Sequence, residues 1–255
     1  MSLSAVVSRL RAAGCVFAED EARLLAGAAA TPEALARLVE RRAAGEPLEH
    51  VLGWARFGGL RVRVDPGVFV PRPRTEFLAE QAIAAAPAGV PVVVDLCCGS
   101  GALGAVVAAA LGEVELHAAD IDPAAVACAR RNLPGARVHE GDLYDPLPDD
   151  LRGRVDLLLA NVPYVPTDEI PLLPAEARLH EARVALDGGG DGLEVLRRVA
   201  AGAGQWLAPG GRLLFETGER QAAHAVAAIA RHGLRARVVR SAGWDATVII
   251  AVRAG

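Results

Sequence analysis

Apolar positions along this 255-residue chain change their spacing twice. Near the start they recur at helical intervals, with Leu3, Val6, Val7 and Leu10 on one face and Gly14 as a stop. Thr31 then stands as an N-cap before Pro32 at the first helical position, with Leu35, Leu38 and Val39 on one face and Gly45 at the end. From His50 to Asp65 the spacing shifts toward two: HVLGWARF, then Gly58-Gly59, then Leu60, Val62 and Val64 alternating with Arg61 and Arg63. That alternation predicts a β-hairpin. It leads into VFVPRPRTE, residues 68–76, where Pro71 and Pro73 forbid a regular helix and fix an extended crossing. Composition alone favours a linker there over a lid.

After Pro91 strand-like and helix-like runs alternate: PVVVDL with ALGAVVAAAL, VELHAAD with PAAVACARRNL, ARVHEGD with the strand RVDLLLAN, and GLEVLRRVAAGAGQWL before GRLLFETG. Alternation of this kind predicts an α/β domain with a doubly wound sheet and helices on both faces. The last third reads as a helix, ERQAAHAVAAIARHG, and two strands, LRARVVRS and DATVIIAV. Only a few residues join those strands, too few for a parallel crossover, so the final strand should run antiparallel to its neighbours.

Composition narrows the function classes. With 52% hydrophobic residues the chain can bury a sizeable core, which excludes a disordered protein. A net charge of -4 argues against tight nonspecific binding to nucleic acid, and no direct nucleic-acid partner is expected. All 27 basic residues are Arg, which fits a GC-rich coding bias better than a need for guanidinium recognition. The four cysteines, at 15, 97, 98 and 128, form no zinc pattern, there is no HExxH, and no metal is expected. No secretory signal is evident, and apolar runs break before about 18 residues, so a cytoplasmic protein without a membrane span is expected.

Four strand ends carry candidate chemistry. In VVVDLCCGSGALG, residues 92–104, a strand ends at Asp95 and a helix starts near Ala102, so Gly99 and Gly101 allow a ligand to approach backbone N–H groups. A merely tight turn is the alternative. In AADID, residues 118–122, Asp120 can accept from both hydroxyls of a ribose, whereas Asp122 before Pro123 reads as an N-cap. In EGDLY, residues 140–144, Asp142 could accept from an adenine amino group or simply form a turn. In DLLLANVPYVP, residues 156–166, the amide of Asn161 and an exposed backbone carbonyl can accept two hydrogen bonds from one NH2 group, and Tyr164 can lie against a planar group. A capped turn with a core tyrosine is the alternative there.

DLCCGSG, AADID and NVPY, in this order and spacing, resemble the motifs of class I S-adenosylmethionine-dependent methyltransferases. NVPY resembles the [DNS]PP[YFW] signature of enzymes that methylate planar NH2 nitrogens. The stretches EPLEHVLGWARFGGLRVRVDPGVFVPRPRTE, HEGDLYDPL, HEARVALDGGGDGLEVLRRV and FETGERQ are similar to the HemK/PrmC family of protein N5-glutamine methyltransferases, and the likeness runs from about residue 31 to 220. The resemblance implies a Rossmann-like, seven-stranded, mostly parallel sheet with its last strand antiparallel. It also implies an N-terminal helical substrate-recognition domain over residues 1–49, a hairpin and PRPxTE segment over 50–76, and a catalytic domain over 77–255.

The same resemblance implies S-adenosylmethionine as cofactor. The Cys97, Cys98, Gly99, Ser100, Gly101 loop would wrap its methionine part, Asp120 would hold the ribose, and the Asp142-Leu143 turn would border adenine, with Asp95 and Ile121 also among the cofactor-binding residues. Asn161, Val162, Pro163 and Tyr164 would hold the glutamine side chain, with Asn161 also facing the cofactor. Pro71, Arg72, Pro73, Thr75 and Glu76 would cover the site, so the linker becomes a lid. The implied partner is a protein carrying a glutamine, with a peptide chain release factor foremost; the sequence leaves the oligomeric state open, with a monomer favoured. Alternatives are another protein or peptide substrate, an exocyclic amine in nucleic acid, and a cofactor-binding protein without catalysis. Two positions depart from the family pattern: Cys97 stands where a glycine is usual, and Val162 replaces a proline. Valine keeps the backbone carbonyl while restoring an N–H and relaxing φ. The helical start is also shorter than usual, which opens the question of the substrate.

Overall fold

Local signals account for the first helices of the computed structural model, which describes residues 1–254. Helix α1 (Leu3–Ala12) is capped by Ser2, whose Oγ accepts from Ala5 N, and is followed by α2 (Ala18–Ala28). The third helix, α3 (Pro32–Ala43), begins as expected, with Thr31 Oγ1 accepting from Ala34 N at 3.1 Å. Gly14 and Gly45 follow α1 and α3 in the left-handed conformation that ends a helix without a Cβ penalty. Val6, Leu10, Ala22, Leu25 and Val39 close over one another into a core of their own.

The expected hairpin begins later than its alternation suggested. His50, Val51 and Leu52 belong to a short helix, α4 (Leu48–Leu52), which Gly53 ends at φ +77° while its N–H donates to the Glu49 carbonyl at 2.7 Å. Local hydrogen bonding outweighs a three-residue period-two pattern. The strands are β1 (Trp54–Phe57) and β2 (Leu60–Arg63), paired antiparallel with Phe57 opposite Leu60. Gly58 in the turn has no room for a side chain, since a Cβ would lie 2.4 Å from Val106. The chain then runs extended until a 3-10 turn at Pro73–Thr75 leads into α5 (Glu76–Ala85).

The rest alternates as the sequence predicts. β3 (Val92–Leu96), α6 (Ala102–Leu111), β4 (Glu115–Asp120), α7 (Pro123–Asn132), β5 (Arg137–Glu140) and β6 (Val155–Ala160) come first. A segment containing α8 (Ala175–His180) then leads to α9 (Glu194–Trp206), β7 (Leu207–Thr217), α10 (Ala222–Ala230), β8 (Leu234–Ser241) and β9 (Ala246–Arg253). The seven strands lie in the order β5-β4-β3-β6-β7-β9-β8, and β9 runs antiparallel to both neighbours. Successive side chains of β6 serve opposite faces: Leu158 and Ala160 pack with α9 and α10, and Leu157 and Leu159 with α5, α6 and α7. Because β3 has β4 on one side and β6 on the other, the chain reverses its winding there and leaves a crevice beyond the strand ends.

The N-terminal helices are joined to that crevice by one buried cation. Arg42 donates from Nε to Glu21 at 2.6 Å and from Nη1 to Glu176 of α8 at 2.7 Å; Arg42 and Glu21 are both buried. Removing one partner of such a pair strands the other charge in a poorly solvated place. Arg42→Ala should therefore destabilise the N-terminal helices by about 3–5 kcal/mol, read as a lower urea midpoint.

Candidate active site

The crevice is built around the loop after β3. Cys97 has φ +54°, in the left-handed region where glycine is at ease, which explains why glycine is the usual residue at this point in the resembling family. Gly99 N then donates to Asp120 Oδ2 at 2.8 Å, and Asp122 N to Asp120 Oδ1 at 2.9 Å, so one carboxylate at the end of β4 fixes two loops. Asp122 caps α7 as expected, its Oδ1 accepting from Ala124 N at 2.9 Å. Asp95 is buried below the loop and accepts from Gly104 N at 3.0 Å. Burial, reinforced by nearby Asp120, pushes its carboxyl up to about 7. Burial also raises Asp120, against the pull of its two N–H donors, and holds the Cys97 thiol well above the ordinary range, which leaves it unreactive.

A cavity of about 630 Å³ extends from this loop. It brings together Asp95, Cys97, Cys98, Gly99, Ser100, Asp120, Ile121, Asp142 and Leu143 with Asn161 to Tyr164 and with Pro71, Arg72, Pro73 and Thr75. Two sequence candidates do not reach it. Gly101 caps α6 facing α7, where a Cβ would come within 2.8 Å of Leu133, so that glycine serves packing. Glu76 opens α5 and is not part of the cavity wall. Asp142 is present but engaged, pairing through Oδ2 with Arg198 at 2.5 Å. Among the described residues nothing hydrogen-bonds the Asn161 amide, which faces the cavity without being a buried orphan.

The PRPRTE segment is fastened over this cavity by two carboxylates. Glu181 accepts from Val70 N at 3.1 Å and from Arg72 Nη2 at 2.7 Å. Glu216, at the end of β7 and almost fully buried, accepts from Arg74 Nε at 2.8 Å and Thr75 Oγ1 at 2.6 Å. Tyr164 OH donates to the same Glu216 at 3.4 Å and is also bonded to Arg74. Burial first, and Glu216 second, push that phenol up to about 12. From behind, Gln221 Nε2 donates to the Tyr164 carbonyl at 3.0 Å, and a Cβ on Gly192 would lie 2.3 Å from that carbonyl oxygen. The glycine run 188–192 thus lets two loops touch. Arg74, Glu181, Arg198, Glu216 and Gln221 were not among the candidate residues read from the sequence. All five lie inside stretches whose resemblance was noted, but only folding shows that their side chains meet.

Comparison with known proteins agrees with this geometry. A family described as "Methyltransferase small domain" matches residues 59–201, more than half of the chain. The release factor glutamine methyltransferase of Geobacter sulfurreducens is 41% identical over 209 residues, covering 79% of this chain and 72% of that protein. A 4-amino-L-phenylalanine/4-methylamino-L-phenylalanine methyltransferase of Streptomyces pristinaespiralis is 40% identical over 193 residues, covering 72% of this chain and 65% of that protein. Among solved structures, a methyltransferase from Pyrococcus furiosus shares the fold, with a TM-score of 0.59 and 17% identity over 88% of this chain and all of that one.

Two outcomes test the site. With its folded pKa near 7 and an unfolded value near about 3.9, Asp95 keeps its proton in the folded protein over a range where the unfolded chain has lost it. Its contribution to stability is therefore complete below about pH 4, declines as pH rises to about 7, and is constant above that. The urea-derived stability difference between the native protein and Asp95→Asn should follow that slope. Glu216→Ala should release the PRPRTE segment, and tryptic cleavage after Arg74 should accelerate roughly tenfold or more, the equivalent of about 1.4 kcal/mol of local stability.

Proposed function

The chain belongs to the protein N5-glutamine methyltransferase family, whose members include release factor glutamine methyltransferases, and from that premise we propose that it methylates a glutamine side-chain nitrogen in a peptide chain release factor, using S-adenosylmethionine. The observation that carries this reading is the meeting of the Asn161–Tyr164 turn and the Cys97–Ser100 loop on one cavity. We take the cytoplasm as the place of reaction and the helices of residues 1–49 as the part that recognises the substrate protein.

The wall of the cavity suits the cofactor. Its volume lies within the range for sites that enclose a ligand of this size. Gly99 has nothing within 4 Å of where a Cβ would stand, so a ligand can lie directly against its backbone. Asp120 has lone pairs beyond those taken by Gly99 and Asp122 and would accept from ribose hydroxyls. Ile121 and Leu143 would flank the adenine, and Asp142 keeps Oδ1 for its amino group while Oδ2 binds Arg198. When bound, S-adenosylmethionine supplies an electrophilic methyl group on a sulfonium sulfur.

What the protein contributes is position and polarity. A carboxamide nitrogen is a poor nucleophile because its lone pair is delocalised into the carbonyl. Asn161 Oδ1 and the Val162 carbonyl would accept its two N–H bonds and favour the pyramidal nitrogen on which positive charge develops. Such orientation can supply about 7–11 kcal/mol in a well-aligned case. Tyr164 would be the plane on which the amide rests. Its phenol stays protonated at neutral pH and is committed to Glu216, so it anchors the turn and takes no proton. No general base is needed, since the nitrogen's proton turns acidic as its bonding changes and can leave to water. Val162 keeps the carbonyl the family's proline would offer, and its side chain is buried in the sheet core.

A second reading, methylation of a free arylamine, draws on the relative from Streptomyces pristinaespiralis, because the same pair of acceptors suits an aryl NH2. One experiment separates them: incubation with labelled S-adenosylmethionine and either an unmethylated release factor or 4-aminophenylalanine, with the product mapped by mass spectrometry. A methylglutamine in the factor supports the proposal; label confined to the amino acid selects the second reading. Cofactor binding with transfer to neither overturns both. Asn161→Ala should lower turnover by about 10²- to 10³-fold while cofactor affinity, measured by titration calorimetry, changes little. Unchanged turnover would remove Asn161 from the mechanism.

A further inference from the structure

A second cavity, of about 430 Å³, shares Arg74 and Tyr164 with the active-site cavity, so those side chains form the wall between the two. Its other walls come from the end of β7 (Glu216, Thr217), the end of β8 (Arg240, Ser241), and the start of β9 (Ala246, Thr247). Thr217 is 5% exposed, and its Oγ1 is the one buried side-chain nitrogen or oxygen without a hydrogen-bond partner among the described residues. Thr247 stands opposite it in the β7–β9 ladder. A buried hydroxyl left unpaired is costly and uncommon, and such a group in a cavity wall is explained by a partner that arrives from outside.

The charges around this cavity say what kind of partner. Arg74 is committed to Glu216, and Arg240 pairs with Glu219 at 3.3 Å. Each guanidinium already has a carboxylate partner, and the acidic residue at the β8–β9 turn, Asp245, is exposed. Beside these paired charges and Asp245, the lining is hydroxyl and small apolar surface from Thr217, Ser241, Thr247, Ala242 and Ala246, which suits a neutral polar group such as a peptide bond. A glutamine whose side-chain amide lies against Tyr164 is attached to a main chain that must continue somewhere, and this cavity lies immediately across the Tyr164 wall.

Building on the functional reading above, we propose that the second cavity is a subsite for the substrate's main chain next to the methylated glutamine, with Thr217 Oγ1 exchanging a hydrogen bond with a backbone amide there. The subsite makes the enzyme sense the peptide that carries the amide as well as the amide itself. Thr217→Val removes the hydroxyl at nearly constant shape and should raise KM for an unmethylated release factor by roughly 3- to 10-fold, the worth of one hydrogen bond, with a smaller effect on kcat. Thr217→Ser should restore KM. Ala242→Trp, at an exposed position in the same wall, should also raise KM by obstructing the cavity. Cofactor dissociation constants should be alike in all three variants, and the melting temperature of free Thr217→Val should not fall, since the hydroxyl has no partner to lose. Wild-type KM in both Thr217→Val and Ala242→Trp, with methylation intact, overturns the subsite alone. Failure of the unsubstituted enzyme to methylate any glutamine overturns the functional reading, and the subsite with it.

Discussion

The Glu216 carboxylate is the point at which the parts of this site are tied together. It lies at the end of a central strand, nearly out of reach of solvent, and a charge there is tolerable only when paired and fully hydrogen-bonded. Arg74 and Thr75 supply that from the segment before α5, and Tyr164 supplies it from the turn after β6. The requirement acts in both directions. The carboxylate needs those donors, and by binding them it sets the PRPRTE segment and the tyrosine in fixed relation to each other, with both cavities divided along the same wall.

A second carboxylate, Asp120, does the corresponding work on the other side of the crevice. By accepting from Gly99 and Asp122 it sets the loop after β3 and the start of α7 at a fixed separation. The geometry is strict enough to hold Cys97 at a positive φ, where a side chain is strained and glycine would be relaxed. The departure at Cys97 is thus a backbone cost rather than a change in the chemistry that faces the cavity. The valine at 162 is of the same kind, because what it changes is the freedom of φ and an N–H, while its side chain joins the sheet core.

The N-terminal helices have their own apolar cluster yet are not independent of the site. Arg42 reaches from α3 to Glu176, and Glu176 lines the active-site cavity. The N-terminal helices are thereby bonded directly to one wall of the crevice.

Much of this was legible in the chain. Hydrophobic periodicity sets the order of strands and helices because burial acts on side chains at fixed intervals, and the short β8–β9 connection dictates an antiparallel last strand. The acidic residue ending β4 and the amide ending β6 could be found because a strand's carboxyl end is where an α/β sheet exposes polar groups. The hairpin's first residues were misread, since three alternating positions carry less information than one glycine able to close a helical turn at Gly53. Tertiary structure alone decided which charges meet. Arg74 and Glu216 are 142 positions apart, and Arg72 and Glu181 are 109 apart; no local propensity relates such residues. Their pairing follows from the sheet order, and so does the unpaired hydroxyl of Thr217, because satisfaction of a buried group depends on what the fold brings beside it.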